Sequence, residues 1–134
     1  MNQRGFATLE VILMVMVIGI LASIAIPRFG DVTTRANTAK IQADLSTIDT
    51  AISIYIMEKG TDPSTVADLS DYLNDADKIK PPTGKKAYIK GTPTEIKAKS
   101  YDVKKTTTSG ENTTTEIRAT LDNYTLAEFT TTKP

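Results

Sequence analysis

The chain has no cysteine, no histidine and no tryptophan. Without Cys and His there is no thiolate or imidazole chemistry, and no nitrogen–sulfur ligand set for a structural zinc ion. An excess of charge of either sign is also missing, because 16 basic residues balance 16 acidic ones. No net positive field draws the protein to nucleic acid or to anionic lipid. With 134 residues the chain has room for one small domain and not two. Once its apolar N-terminal run is set aside, about a hundred residues are left for a folded head, too few for a deep enclosed pocket.

That apolar run is the most informative feature present. From Val11 to Ile26 only Gly19 and Ser23 interrupt an otherwise apolar sequence. Counted back to Phe6, it comes close to the roughly 20 residues that cross a bilayer as a helix. It is apolar on every side, so it is no ordinary amphipathic surface helix. Three readings compete: a cleaved secretory signal ending near Ser23-Ile24-Ala25, a plain membrane anchor, and a segment whose purpose needs a carboxylate. Glu10 decides among them. A carboxylate inside an apolar helix costs several kcal/mol unless paired, and neither a signal peptide nor an anchor has a use for it. Glu10 lies one helical turn from Phe6 on the same face. A cut between Gly5 and Phe6 would place a free ammonium at a helix N-terminus beside that carboxylate.

Arg4-Gly5-Phe6, Thr8-Leu9-Glu10, Ile18-Gly19-Ile20-Leu21-Ala22 and Ile24-Ala25-Ile26-Pro27 closely resemble the class III signal of type IV pilins and type II secretion pseudopilins. The detailed resemblance covers about the first 30 residues. It implies a leader at residues 1–5, cleavage after Gly5 by a prepilin peptidase, and N-methylation of Phe6. It implies a filament-core helix at 6–27 that is single-pass in the inner (cytoplasmic) membrane before assembly. Arg4 on the cytoplasmic flank fits that orientation, although Arg28 on the other flank blunts the argument. It further implies a homo-oligomeric helical filament built by an assembly ATPase and a platform protein, outside the cell as a pilus or in the periplasm as a pseudopilus. The chain is then a structural subunit and no enzyme. Relatives with a C-terminal cysteine pair staple their last loop, and this chain departs from them. That departure fits a pseudopilin or a pilin of another lineage.

Moving such a helix from lipid into a filament core gains little hydrophobic free energy, because lipid tails are already as apolar as leucine. Packing and polar pairing must supply the gain. Glu10 is therefore expected to set the register of assembly by meeting the Phe6 ammonium of a neighbouring subunit. Gly19 and Pro27 bracket a weak stretch, since interior Gly costs about 1 kcal/mol and interior Pro about 3. They are expected to mark a kink or a segment that melts in the filament.

Beyond Arg28 the helix turns amphipathic. Val32, Ala36, Ala39, Ile41, Leu45, Ile48, Ile52 and Tyr55 or Ile56 recur mainly at three- and four-residue spacings, and Lys59-Gly60 supplies a C-cap. Residues 28–60 are thus read as a continuation of the helix and 61–134 as a head. Asp62-Pro63 reads as an N-cap with N1 proline ahead of a short helix over 65–73. Strands are expected at 86–90, at 96–104 with a bulge near Ser100, at 114–122 and at 124–130, with turns at 109–112 and 122–123. A long helix packed on three or four antiparallel strands is an α+β arrangement, which is also the pilin fold that the resemblance implies.

Other groups carry little chemistry. Asp68, Asp71, Asp75 and Asp77 lack the Gly and terminal Glu of an EF-hand and read as a solvated face, so no metal ligand and no cofactor is assigned. Lys78, Lys80, Lys85 and Lys86 have only Tyr88 nearby, too little aromatic surface for stacking bases, and no nucleic-acid partner is expected. The threonine runs at 106–108, 113–115 and 130–132 suit solvated strands and turns, with O-glycosylation as the minor alternative. The Asn112-Thr113-Thr114 and Asn123-Tyr124-Thr125 sequons are frequent by chance.

Overall fold

A computed structural model describes residues 3–108 and 114–132, the side chains at 25–29 and 108 excepted. The expected turn at 109–112 and the Asn112 sequon lie outside the described residues. The chain falls into two units, Met1–Thr33 and Thr34–Pro134. One helix, α1 (Gln3–Lys59), belongs to both, and four strands follow it: β1 (Lys86–Ile89), β2 (Thr92–Glu95), β3 (Asp102–Thr108) and β4 (Thr114–Thr120). This is the α+β arrangement expected of a pilin-like chain.

From Phe6 to Ile24 α1 carries exposed apolar side chains on all sides. In the second, a stripe of α1 buries Ile41, Leu45, Ile48, Ala51 and Ile52 against Leu69, Leu73, Ala87, Ile89, Ile96, Tyr101, Ala119, Leu121 and Phe129. The stripe continues toward the N-terminus through Thr38 and Thr34, both buried, and not through Val32, Ala36 and Ala39, which are exposed. Alanine and valine at those positions fit the periodicity but fall on another face. Thr38 is selected for its hydroxyl, which donates to the Thr34 carbonyl at 2.8 Å and accepts from the Tyr88 amide at 2.7 Å. Burying each such Ile or Leu is worth about 1.5–3 kcal/mol before entropy is counted. The helix ends at Lys59, where Gly60 takes the left-handed conformation (φ 68°) and its amide donates to the Ile56 carbonyl at 2.9 Å.

The strands form two separate antiparallel ladders, β1–β2 and β3–β4, in place of one sheet of three or four strands. Strand β2 was not expected. Lys90 and Gly91 both take positive φ, 49° and 75°, and so close a two-residue hairpin that lacks the usual Asn-Gly signal. The expected strand at 96–104 is broken. The Asp122 carboxylate accepts the Lys97 and Ala98 amides at 2.9 and 3.0 Å, which diverts that backbone from any ladder until Asp102.

The short helix of 65–73 shrinks to one 3-10 turn, Val66–Leu69, capped by Thr65 and not by Asp62. Asp68 holds the cap by accepting the Ser64 and Thr65 amides at 3.0 and 2.8 Å. Tyr124–Thr130 is likewise no strand. Tyr124 forms a single bridge to Leu121, and a 3-10 turn covers Leu126–Glu128, with Glu128 accepting the Thr125 amide at 2.9 Å. Both turns carry a Thr-x-x-Asp/Glu capping pattern that periodicity alone overlooks.

Polar side chains of α1 tie the head together inside the second unit. Asp44 accepts the Tyr101 hydroxyl at 2.7 Å and pairs with Lys40. Asp49 accepts the buried Ala119 amide at 2.7 Å and faces Arg118 at 3.6 Å. Gln42 donates to the Phe129 carbonyl. Replacing Asp49 by alanine leaves the Ala119 N–H without its partner in a buried site. This should cost about 1–3 kcal/mol, read as a lower urea midpoint of the full chain in detergent. An unchanged midpoint would refute the tie.

Burial, and then the hydrogen bond to Asp44, push the Tyr101 phenol well above its ordinary pKa of 10.0. The Tyr72 phenol is pushed up to about 12 by its hydrogen bond to Glu58. Folded chains keep protons that unfolded chains release above pH 10, so this stability is complete below pH 10 and declines as pH rises further. The urea midpoint should fall above pH 10, and less steeply in Tyr101→Phe. Equal slopes in the two proteins would remove Tyr101 from the account.

Candidate assembly site

Within α1, Gln3–Ile24 is long and apolar enough to cross a membrane, and none of it is buried in the chain's own fold. Phe6, Leu9, Val11 to Ile18, Ile20, Leu21 and Ile24 are each more than half exposed. Helical order comes cheaply, since every backbone group from the second turn onward is satisfied inside the helix. Side-chain burial does not come from this chain at all. An apolar surface of this size needs lipid or other subunits.

Gly5 and Phe6 lie in the first turn of α1, where backbone N–H groups have no intrahelical acceptor. The Gly5–Phe6 peptide bond therefore sits in a turn that is less fully hydrogen-bonded than the rest of the helix. Thr8 tightens the next turn by donating its hydroxyl to the Arg4 carbonyl at 2.9 Å. Glu10 is exposed, and among the described residues it has no hydrogen-bond or ion-pair partner. If the chain starts at Phe6, Glu10 falls just beyond the first helical turn, where the helix dipole favours an anion.

A methyl added at Gly19 meets nothing within 4 Å. The glycine is thus not required by packing inside this chain. The helix runs unbroken through Gly19 and Pro27. Any melting between them belongs to another state of the molecule.

The charged groups of the head do structural work. Asp68 caps a turn, with its carboxyl held below the ordinary range by the Thr65 and Ser64 amides. Asp75 pairs with Lys78 at 3.2 Å. Glu128 pairs with Lys90 at 3.0 Å, and the Thr125 amide and Lys90 outweigh burial to lower its pKa. The Tyr88 ring lies under the Arg35 guanidinium, 5.9 Å from the centroid. No group of three or more acidic side chains placed to hold a metal occurs among the described residues.

Three similarities bear on this helix-and-head chain. It is 39% identical over 58 residues to the type IV narrow pilus major component of Thermus thermophilus, covering 43% of this chain and 50% of that protein. It is 30% identical over 64 residues to the type II secretion system core protein G of Klebsiella michiganensis, covering 48% and 45%. The core protein G of Escherichia coli is 28% identical over 103 residues, covering 75% of this chain and 70% of that protein.

The curated homologues of this chain are type IV pilins and type II secretion pseudopilins. The match spans half or less of the first two relatives' own length. No family model matches the chain, and no solved structure matches it. The N-terminal motif resembles the signal shared by these two groups of relatives.

Because the Gly19 site is open, Gly19→Ala should be tolerated and should stabilise the helix by about 1 kcal/mol. Amide exchange near residue 19 in micelles should slow on the order of fivefold. Faster exchange would mean that the glycine serves local order in some way the helix does not reveal.

Proposed function

We propose that this chain is the structural subunit of a type IV pilus, cut after Gly5 by a prepilin peptidase, methylated at Phe6 and polymerised through its apolar helix. The single observation that carries this reading is an all-apolar helix with nothing of its own chain against it and one carboxylate, Glu10, a turn from Phe6. Before assembly the lipid of the inner membrane covers the helix. In the filament, neighbouring helices cover it. The Phe6 ammonium created by cleavage neutralises Glu10 of an adjacent subunit in a low-dielectric core, where an unpaired charge is costly and a wrong register is therefore rejected. Gly19 and Pro27 bound the stretch most easily unwound when the helix repacks. The assembly ATPase and platform protein of such systems supply the work of extraction from lipid.

The similarity to core protein G supports a second reading, a major pseudopilin forming a short periplasmic filament. Both readings use the same helix chemistry and differ in where the filament ends. The intact mass of protein sheared from the outside of native cells separates them. A chain starting at methylated Phe6 in that fraction indicates a pilus, and the same chain confined to the envelope indicates a pseudopilus. A start at Met1 or after Ala25 in every fraction would overturn both. Glu10→Ala should lower the amount of filament by about a hundredfold, the effect of stranding one member of a buried ion pair, while the precursor stays at its normal level in the membrane.

A further inference from the structure

Charge is sorted along the head. Between Asp44 and Asp77 the only basic residue is Lys59, and between Lys78 and Lys105 the only acidic residues are Glu95 and Asp102. Within the second unit these two stretches meet α1 at different levels. The lysine-rich stretch meets it at residues 37–40. Asn37 donates to the Lys86 carbonyl at 2.9 Å, Thr38 accepts the Tyr88 amide at 2.7 Å, and the Lys40 ammonium donates to the Lys80 carbonyl at 2.8 Å. The aspartate-rich stretch meets it at residues 55–58. There the Tyr72 ring stands edge-on to Tyr55 with 5.8 Å between centroids, and its phenol bonds Glu58. Asn37 and Tyr55 are about 27 Å apart along the helix, at 1.5 Å per residue.

At the first level four lysines gather. Lys85 and Lys86 lead into β1, and the Ile96 amide donates to the Lys85 carbonyl at 2.9 Å, which brings Lys97 beside them. The Thr83 hydroxyl donates to the Ala98 carbonyl at 2.6 Å and so holds Lys99 at the same edge. All four lysines are exposed, and among the described residues none has an ion-pair partner. Two carboxylates lie near. Glu95 stands opposite Lys86 in the ladder, and Asp122 is bound to the Lys97 and Ala98 amides. The cluster therefore keeps a surplus of positive charge.

At the second level the surplus has the other sign. Glu58, Asp62 and Asp71 are exposed, and among the described residues Asp62 and Asp71 have no ion-pair partner. Met57, in the same last turn of α1 as Glu58, is 86% exposed, more than any other large apolar side chain described. An uncovered thioether beside carboxylates supplies the apolar centre and the charged rim that protein contacts combine.

We propose that the lysine cluster of one head docks on the acidic end of the head of a second copy, over Met57. Four unpaired lysines call for a surface rich in carboxylates, and this chain itself presents one. The lysine stems can lie on the thioether while their ammonium groups reach the carboxylates. The alternatives, lysine end on lysine end and acidic end on acidic end, set like charges together and are rejected. The contact joins two different surfaces, so it repeats from copy to copy without closing. Exposed ion pairs add little affinity. Their work here is to select partner and direction, while the filament reading, on which the contact rests, supplies the crowding of copies.

Zero-length coupling tests this contact. A water-soluble carbodiimide joins a lysine amine to a carboxylate only where the two touch. One chain holds the two levels about 27 Å apart, so a coupled pair comes from two copies. Full-length chains in the sheared surface fraction and in the envelope are coupled, and their peptides are identified by mass. Links from the four lysines to Glu58, Asp62 or Asp71 are expected in whichever fraction holds filaments. Lys85→Glu with Lys86→Glu should lower the remaining Lys97 and Lys99 links to Glu58 about tenfold. Asp62→Lys with Asp71→Lys in the same chain should restore them to within about twofold. All four substituted side chains are exposed, so the fold tolerates the changes. Filaments of chains starting at Phe6 that carry no such links overturn the contact and leave the pilus reading standing. Links in the envelope of cells that make no filament keep the contact and count against the filament. Links that ignore the double reversal, or that the charge swap fails to restore, show that charge does not select the partner and overturn the proposal. Absence of filaments and links together overturns both.

Discussion

An apolar helix that buries nothing against its own chain is the constraint on which the rest of this protein depends. About twenty residues of α1 satisfy their backbone internally and expose their side chains on every side. No rearrangement of a head this small could cover such a surface. Stability of that segment is set from outside its own fold. In the proposed filament reading, lipid and neighbouring helices are equivalent apolar solvents for it, so polar groups and packing choose between them. Glu10 is the only acidic residue in the run, and in that reading its need for a cation gives the choice a direction.

The head answers a different problem. It must hold a short, strand-poor fold to the second half of α1 without disulfides. It does so with a narrow apolar stripe and with polar side chains from the helix that reach backbone groups of the strands. Thr38, Asp44 and Asp49 all lie on or beside the buried stripe; Thr38 and Asp49 each accept a backbone amide that the short ladders leave open, and Asp44 holds the Tyr101 hydroxyl. Such bonds contribute about 1 kcal/mol each when made and cost more when one partner is lost, so they fix the docking geometry more than they add to stability.

Much of this was legible in the sequence. Gly60 after Lys59 marked the helix end, Asp122-Asn123 marked a tight turn, and the hydrophobic alternation of Ile117, Ala119 and Leu121 marked β4. Where the reading failed, a local polar contact outweighed periodicity. Thr34 and Thr38, and not Val32, Ala36 and Ala39, lie on the buried face, where the Thr38 hydroxyl bonds the Thr34 carbonyl and the Tyr88 amide. Asp122 pulled residues 97 and 98 out of an apparent strand, and Glu128 curled 126–128 into a turn where alternation suggested extension.

By itself the sequence determined that the chain carries an exposed apolar helix with one misplaced carboxylate, because those properties depend only on composition and on a 3.6-residue period. It also determined the α+β class, since long helical and short alternating patterns are local. Tertiary structure alone decided that the strands pair as two ladders and which threonines are buried. Those outcomes turn on side chains 20 to 90 residues apart meeting a particular backbone group, as Gln42 meets Phe129 and Asp49 meets Ala119. No local pattern encodes such a meeting.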